Sequence, residues 1–334
     1  MSRGEERPEL TADGLQNIAR AYHGSRIILT AYELGIFTAL ADERKTSAEV
    51  AEALGADPRA TDRLMNALAV LGLLNKGEGL FANTAVAARY LVKGKPDYMA
   101  GLMHGVHLWD AWSTLTDAVR AGTSVFERPG GEAAERRTEA FIAAMHYNAA
   151  FRAGRLVALL DLAGVSRVLD VGGGSGIYAM AFVRAREGIT ATVFDLPQVT
   201  PLTRRYVEVE GLSGKIDIVA GDANVDELPR GYELVLVSQL IHSNSPEENA
   251  ALINNCAASL NAGGCLVVQD FVVDGDRAGP PRPIIFALNM LVATEAGDTY
   301  TEAEIRGWME AAGLSNIERV DTDFETTLVM GTKP

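Results

Sequence analysis

Cysteine and long apolar runs are scarce in this chain of 334 residues. Its two cysteines, Cys256 and Cys265, are too few for a disulfide framework or a cysteine-based zinc site, and we expect no metal. No apolar run approaches the roughly 20 residues of a membrane-spanning helix. The first ten residues, MSRGEERPEL, are polar and lack the apolar core of a signal peptide. These absences predict a cytoplasmic protein with no membrane partner.

Basic residues are outnumbered by acidic ones. The chain has 30 lysines and arginines against 44 aspartates and glutamates, which gives a formal net charge of −14. An excess of negative charge repels phosphate backbones and anionic lipids, so we expect no nucleic-acid partner. Apolar residues make up 48% of the chain, which is enough for the core of one large domain or two medium ones.

The most informative stretch is Arg167 to Tyr178, which reads R-V-L-D-V-G-G-G-S-G-I-Y. Val168, Leu169 and Val171 form a short apolar run with β-branched residues, typical of a buried strand and interrupted by Asp170. A helical pattern begins at Ile177. Glycines between a strand and a helix let the backbone turn sharply and approach a ligand closely. This pattern predicts a nucleotide-binding α/β unit, with a tight turn that binds nothing as the alternative.

Three acidic residues narrow the choice of ligand. Asp195 ends a second predicted strand, where an acid can accept hydrogen bonds from ribose hydroxyls. Asp222 follows a third strand, where it could accept a hydrogen bond from an adenine amino group. We expect Asp170 at the mouth of the glycine loop, where it would repel a pyrophosphate and attract a cation. S-adenosylmethionine has an adenosine and a sulfonium but no phosphate, so the three acids fit it better than they fit NAD.

With these residues in place, the sequence resembles a known family. The motifs D-V-G-G-G-S-G, F-D-L-P, G-D and L-I-H stand in the order and spacing of class I S-adenosylmethionine-dependent methyltransferases, in the small-molecule O-methyltransferase group of plants and bacteria. The resemblance covers nearly the whole chain. It implies S-adenosyl-L-methionine as cofactor and S-adenosyl-L-homocysteine as product. The cofactor-binding positions that it implies are Asp170, Gly172, Gly174, Asp195, Leu196, Asp222, Ala223 and Ser238.

The order of predicted elements is that of an α/β protein. Strands and helices alternate in residues 161–334, which predicts a mainly parallel sheet with helices on both faces. The resemblance implies a Rossmann-like, seven-stranded methyltransferase sheet whose last strand is antiparallel. We predict an α-helical winged-helix dimerisation domain over residues 1–100 and a helical connector that lines the substrate pocket over 101–160. We also predict one long helix over Phe141–Leu160 and a turn-rich loop over Asp274–Pro283.

The N-terminal domain could serve either of two purposes. Winged helices often read DNA, but the presumed recognition helix has Asp57 and Asp62 beside Arg59 and Arg63, which makes a poor face for phosphates. The resemblance implies dimerisation instead. The region Leu15 to Leu40, predicted as two helices, is too apolar to be satisfied within a small domain. We therefore predict a homodimer that forms through this domain.

The resemblance also indicates the substrate pocket. In the family an F-x-x-x-M segment packs over the substrate, and Met145 stands at its methionine. The other pocket candidates are Trp109, His146, Asn289 and Met290. For most of these side chains the alternative is ordinary packing between helices.

His242 is the candidate general base. It follows the predicted strand Leu234–Val237, and ligands bind at the carboxyl ends of such strands. An imidazole has a pKa suited to taking a phenolic proton near neutral pH. In the resembling family a histidine here is the general base and an acid at the position of Asp270 hydrogen-bonds it, which holds its tautomer. The alternative is a loop histidine that caps the helix beginning at Pro246.

Several positions depart from the family pattern. The usual H-D-W or H-N-W is replaced by His242-Ser243-Asn244, and the hydrophobic pair after the third acid is replaced by Ala223-Asn224. Thr299 takes the place of a second acid that flanks the histidine in plant members, and Asp298 is one position away. Ser238 replaces a lysine common in plant members. We expect cofactor binding to survive these changes. Base catalysis by His242 is less firmly predicted.

The sequence therefore predicts a homodimeric methyltransferase that acts on a hydroxyl of an aromatic or polyketide-like small molecule. Methylation of carbon or nitrogen, for example on a pigment or another natural-product intermediate, remains open, as does non-methylating chemistry on the same fold. The alternative from a different class is a winged-helix regulator that senses a small ligand. That alternative needs a basic face, which the sequence does not offer.

Overall fold

The computed structural model describes residues 10–334, which divide into two compact units: the first ends at Val106 and the second is His107–Pro334. Residues 1–9, on which the prediction about a signal peptide depends, lie outside the described residues. Within residues 10–334 no helix has the length and apolar character needed to cross a membrane. The three-part division at residues 100 and 160 and the cytoplasmic location stay predictions.

The first unit is mainly helical. Its elements are α1 (Ala12–Arg20), α2 (Tyr22–Leu34), α3 (Ile36–Leu40), α4 (Ser47–Leu54), α5 (Pro58–Val70), β1 (Leu74–Gly77), β2 (Leu80–Asn83) and α6 (Ala85–Tyr90). The strands β1 and β2 form an antiparallel hairpin. Helix α4 begins with a capping box between Thr46 and Glu49 and ends at Gly55 in the left-handed conformation. Helices followed by a hairpin are the elements predicted for a winged helix.

The prediction of two helices between Leu15 and Leu40 is wrong, because the structure has three. One break between these helices lies at Gly35, which takes the left-handed conformation at φ 81°. A second break lies at Ala21. Its N–H donates to the carbonyl of Ile18, three residues back, where a regular α-helix would use the carbonyl four residues back. An alanine has no turn signature, so the sequence did not indicate this break.

Helix α7 (Leu102–Trp112) runs across the boundary between the units, and the second unit is an α/β domain. Its helices are α8 (Leu115–Ala121), α9 (Gly131–Ala150), α10 (Ala153–Val157), α11 (Ile177–Ala185), α12 (Thr200–Val209), α13 (Pro246–Ser259), α14 (Pro281–Ala293) and α15 (Glu302–Ala311). Its strands are β3 (Arg167–Val171), β4 (Thr190–Asp195), β5 (Ile216–Ala220), β6 (Tyr232–Ser238), β7 (Leu260–Asp270), β8 (Val272–Val273), β9 (Tyr300–Thr301), β10 (Ser315–Asp321) and β11 (Thr327–Thr332).

Seven of these strands form one sheet in the order β10-β11-β7-β6-β3-β4-β5. The strands β7, β6, β3, β4 and β5 are parallel, and β11 pairs antiparallel with both β7 and β10. Successive strand residues are buried on opposite faces: Val168 packs in one apolar cluster and Leu169 in the other. Burial on both faces explains the continuous apolar runs of the sequence. The predicted fold class and the antiparallel last strand are confirmed.

Two predictions about helices in this unit need correction. The helix predicted over Phe141–Leu160 begins earlier, at Gly131, and is broken after Ala150, so that Ala153–Val157 forms a separate helix. The loop predicted over Asp274–Pro283 contains the start of α14, which the sequence reading missed. Its prolines look like loop residues, but a proline is tolerated in the first helical turn because N–H groups there have no partner within the helix.

A pair of glycine substitutions tests the packing at the end of β5. A β-carbon on Gly221 would overlap the buried ring of Phe194, whereas one on the exposed Gly214 would meet nothing within 4 Å. We expect Gly221→Ala to lower the free energy of unfolding by about 1–3 kcal/mol through overpacking. The control Gly214→Ala should change it by less than about 1 kcal/mol. Urea unfolding of both variants is the measurement, and equal stabilities would contradict this account.

Candidate active site

The glycine loop after β3 is built for close approach. Gly172, Gly174 and Gly176 all have positive φ, at 66°, 57° and 76°, a conformation that favours glycine. The side chain of Leu240 lies 2.9 Å from the point where a β-carbon of Gly172 would stand. The hydroxyl of Thr203 donates to the carbonyl of Gly174 at 2.6 Å. The loop is therefore held in one shape, and it packs too closely against Leu240 for a side chain at Gly172.

Asp170 lies beneath this loop, and the prediction that it stands at the loop mouth is wrong. Its side chain is fully buried, and its Oδ2 accepts from the N–H of Ala179 at 3.2 Å. A β-carbon on Gly173 would come within 2.7 Å of that oxygen, so only glycine fits above it. Burial raises the pKa of Asp170 to about 7. Its Oδ1 is buried without a partner among residues 10–334.

Asp195 ends β4 beside the glycine loop and is nearly buried. Its Oδ2 accepts from the N–H of Gly174 and its Oδ1 from the N–H of Leu196, both at 2.7 Å. Burial raises the pKa of Asp195, and these two hydrogen bonds oppose the rise. Each carboxylate oxygen has a second lone pair, so both can still accept a hydroxyl proton. Leu196 is partly exposed next to them.

Asp222 and Ala223 follow β5 at the same edge of the sheet. The Oδ1 of Asp222 accepts from the N–H of Asn224 at 3.0 Å, and its own N–H donates to Asp226 at 2.8 Å. Ala223 packs at the border of the apolar core. Gly221 donates its N–H to the carbonyl of Asp195 at 2.9 Å, so the two predicted adenosine-binding acids belong to adjoining loops.

Ser238 ends β6, where its side chain has a protein partner. Its hydroxyl donates to Gln269 at 2.7 Å, and Gln269 in turn donates to the hydroxyl of Thr326 at 2.9 Å. The serine therefore belongs to a chain of polar side chains across β6 and β7. Its predicted contact with cofactor stays a prediction.

His242 lies on a short 3-10 turn, Ile241–Ser243, just beyond the carboxyl end of β6. Its Nδ1 is 2.8 Å from the Oδ1 of Asp270, the last residue of the neighbouring strand β7. Both side chains are buried, and the same Asp270 oxygen accepts from the N–H of Phe271 at 2.7 Å. The other oxygen, Oδ2, has no partner in the described part of the chain.

The helix-capping alternative for His242 is excluded. The helix that begins at Pro246 is capped by Ser245, which forms a capping box with Glu248. Because Asp270 accepts from Nδ1–H, the neutral imidazole presents Nε2 as its acceptor nitrogen. This is the tautomer that a general base requires.

Two aromatic rings that the sequence reading missed border this imidazole. Phe286 meets the His242 ring edge-on, with 4.9 Å between the ring centroids, and Phe271 lies 4.6 Å from Phe286. Phe286 belongs to α14, whose start lies within the predicted loop Asp274–Pro283. An apolar wall beside a buried imidazole suits a flat, apolar ligand.

The predicted pocket residues have varied surroundings. The Nδ1 of His146 lies 2.9 Å from the hydroxyl of Ser175 in the glycine loop, and burial lowers the pKa of His146. The Oδ1 of Asn289 accepts from the indole N–H of Trp112 at 2.9 Å. The further candidates are the partly buried Met145 on α9 and Trp109 on α7, and the buried Met290 on α14. Their roles in a substrate pocket stay predictions.

A cavity of about 370 Å³ lies along α14 in the second unit. It is lined by Gly122, Ala287, Leu288, Leu291 and residues 294–298. In this lining, Asp298 pairs with Arg277 at 3.0 Å. The hydroxyl of the next residue, Thr299, is buried without a partner in residues 10–334. At the position where plant members of the resembling family have a second acid beside the histidine, this chain has the hydroxyl of Thr299.

Comparison with known proteins identifies the chain. An O-methyltransferase domain model matches residues 112–315, and an O-methyltransferase dimerisation domain model matches residues 16–93. The sequence is 35% identical over 312 residues to 3-hydroxy-5-methyl-1-naphthoate 3-O-methyltransferase of Streptomyces sahachiroi, covering 92% of this chain and 90% of that protein. It is 31% identical over 324 residues to the tetracenomycin polyketide synthesis 8-O-methyl transferase TcmO of Streptomyces glaucescens, covering 95% of each.

A solved structure agrees with these relatives. The crystal structure of human N-acetylserotonin methyltransferase in complex with S-adenosylmethionine matches with a TM-score of 0.84 and 25% identity, over 100% of this chain and 99% of that one. The family and the methyl-transfer activity that the sequence motifs implied are confirmed. The chain belongs to the O-methyltransferase family.

Proposed function

We propose that this enzyme transfers the methyl group of S-adenosylmethionine to a hydroxyl of an aromatic or polyketide-like small molecule, with His242 as general base. The observation that carries the proposal is the 2.8 Å hydrogen bond between His242 and Asp270 at the same edge of the sheet as the glycine loop. One bacterial relative is named for a naphthoate substrate and the other for tetracenomycin polyketide synthesis, and the human one was solved with S-adenosylmethionine.

The residues at the carboxyl ends of β3, β4 and β5 suit this cofactor. Asp195 has free lone pairs for a ribose diol, and Asp222 offers a carboxylate to an adenine amino group. The buried Oδ1 of Asp170, which lacks a partner in residues 10–334, leaves an acceptor beneath the loop. When bound, the cofactor supplies a methyl group that its sulfonium has already activated for in-line displacement.

His242 removes the proton that the acceptor hydroxyl must lose. Nε2 accepts this proton as the oxygen attacks, and the imidazolium that forms is stabilised by the carboxylate of Asp270 at its Nδ1–H. The rings of Phe271 and Phe286 keep water from the base and offer an apolar surface to a flat acceptor. After the methylated product has left the site, solvent reaches Nε2 and takes the proton, which returns the imidazole to its starting tautomer.

We propose a homodimer through the first unit and no nucleic-acid partner. Leu15, Ile18 and Tyr22 on α1 and α2 are each more than half exposed, a concentration of apolar surface that association would cover. On α5, Asp62 bonds Ser47 and Asn66 and keeps negative charge beside Arg63. This arrangement disfavours a phosphate-binding face.

The first test concerns cofactor binding. Asp195→Ala should weaken S-adenosylmethionine binding by roughly 1–3 kcal/mol, because a ribose diol loses its charged acceptor. Calorimetry measures the affinity. Asp217→Ala, an exposed acid on the adjacent strand β5, is the matched control and should leave affinity unchanged. Equal affinity of wild type and Asp195→Ala would refute the ribose assignment.

The second test concerns the base. With an ordinary phenol as acceptor, His242→Ala should lower the single-turnover rate by about 10²–10⁴ and leave cofactor affinity nearly intact. Asp270→Asn should cost less, because the imidazole remains. An acidic nitrophenol, already ionised at roughly pH 9, is the internal control, since its methylation needs no base.

A loss below about tenfold with the ordinary phenol, and an unchanged pH profile, would reject the base role. The remaining explanation would then be catalysis by proximity on an ionised oxygen, or on carbon or nitrogen.

The third test concerns assembly. Ile18→Glu places a charge in the exposed apolar patch of α1 and should shift the protein from dimer to monomer. Val209→Glu, at a more exposed apolar residue of the second unit, is the control and should leave the dimer intact. Light scattering at micromolar concentration distinguishes the two states. A wild-type monomer, or an Ile18→Glu dimer as stable as wild type, would contradict the proposed interface.

A further inference from the structure

Two positions at which the sequence departs from the family pattern are joined in the structure. Asn224 follows the Asp222 loop, and Asn244 follows the turn that carries His242. Their amides exchange two hydrogen bonds: Nδ2 of Asn224 donates to Oδ1 of Asn244 at 3.2 Å, and Nδ2 of Asn244 donates to Oδ1 of Asn224 at 3.1 Å. The pair therefore links the Asp222 loop to the turn that carries His242.

The amide chain continues toward the histidine. Nδ2 of Asn244 also donates to Oδ1 of Asn249 at 3.3 Å, and Nδ2 of Asn249 donates to the carbonyl of Ile241 at 2.8 Å. Ile241 is the residue before His242 and begins the same turn. Asn249 is fully buried and Asn244 nearly so. A satisfied chain of buried amides is rigid, because breaking any link leaves a polar group without a partner.

The other end of the turn is held as well. The hydroxyl of Tyr300 donates to the carbonyl of Asn244, which fixes the backbone that leaves the turn. Gly297 packs against the carbonyl of His242 so closely that a β-carbon there would overlap it. The N–H of Asn224 donates to Oδ1 of Asp222 at 3.0 Å, so the chain of amides begins at Asp222.

We infer that Asn244, bonded to Asn224 and Asn249, is a positioning residue that fixes His242 relative to the Asp222 loop. The inference rests on the proposed function, in which that loop binds adenosine and His242 is the base. The asparagine acts through His242 and touches no reacting atom. It aligns the base with the end of the cofactor by direct side-chain bonds, where the family pattern has a tryptophan.

A double-mutant cycle tests this role. Asn244→Ala should lower the single-turnover rate by about tenfold with an ordinary phenol, while cofactor affinity changes little. In the His242→Ala background the same substitution should change the rate by less than about twofold, because nothing remains to be positioned. Equal rate losses in the two backgrounds would mean that Asn244 only stabilises the fold, and would overturn the inference.

A second variant and a control distinguish loss of positioning from loss of folding. Asn224 lies at the surface, so Asn224→Ala breaks the same pair without leaving a cavity, and should lower the rate by about threefold. Asn255 is the matched control: its amide donates to the carbonyls of Ala223 and Asp226 in the same loop, without a bond to Asn244. Asn255→Ala should leave the pH profile and His242 unaffected.

An NMR measurement tests the inference without catalysis. The chain has five histidines, and the imidazole signals of His242 are those lost in His242→Ala. They should be a single sharp set in the wild type and in Asn255→Ala, and split or broadened in Asn244→Ala. Identical spectra in all three would overturn the inference. If His242→Ala itself is mild, the base role fails, and these spectra still decide whether Asn244 positions the ring.

Discussion

The hydrogen bond between His242 and Asp270 depends on the register of two parallel strands. β6 and β7 run side by side with Ser238 opposite Gln269, so the residues that follow them emerge at one edge of the sheet. Both side chains are buried, which removes water as a competing partner and holds the imidazole in a single orientation. A histidine and an acid 28 positions apart in the chain thus form one functional unit.

The residues predicted to bind the cofactor lie at the same edge of the sheet. Three glycines with positive φ shape the backbone of the loop after β3. Asp195 holds this loop by accepting a hydrogen bond from the N–H of Gly174. Asp170 supports the loop from below, at the cost of burying a carboxyl whose pKa rises to about 7. The Asp222 loop and the turn that carries His242 are then tied together through the side chains of Asn224 and Asn244.

Much of this arrangement could be predicted from the sequence, because strands end where polar residues interrupt apolar runs. That rule placed Asp195, His242 and Asp270 at one edge and gave the sheet its order of elements. It failed for Asp170, because no local pattern reveals that Gly173 closes over it. It also failed for α14, whose prolines look like loop residues, and for the pairing of Asn224 with Asn244, since contacts between side chains of two loops leave no periodic signal.

The central claim is that His242 takes the proton of the acceptor. A crystal structure with S-adenosylhomocysteine and a hydroxylated aromatic acceptor tests it most directly. The account predicts that the acceptor oxygen lies about 2.6–3.2 Å from Nε2 of His242, with Nδ1 still bound to Asp270 and the ring beside Phe271 and Phe286. An acceptor whose reacting atom is carbon or nitrogen, or an oxygen more than about 4 Å from Nε2 with no water between them, would contradict the claim.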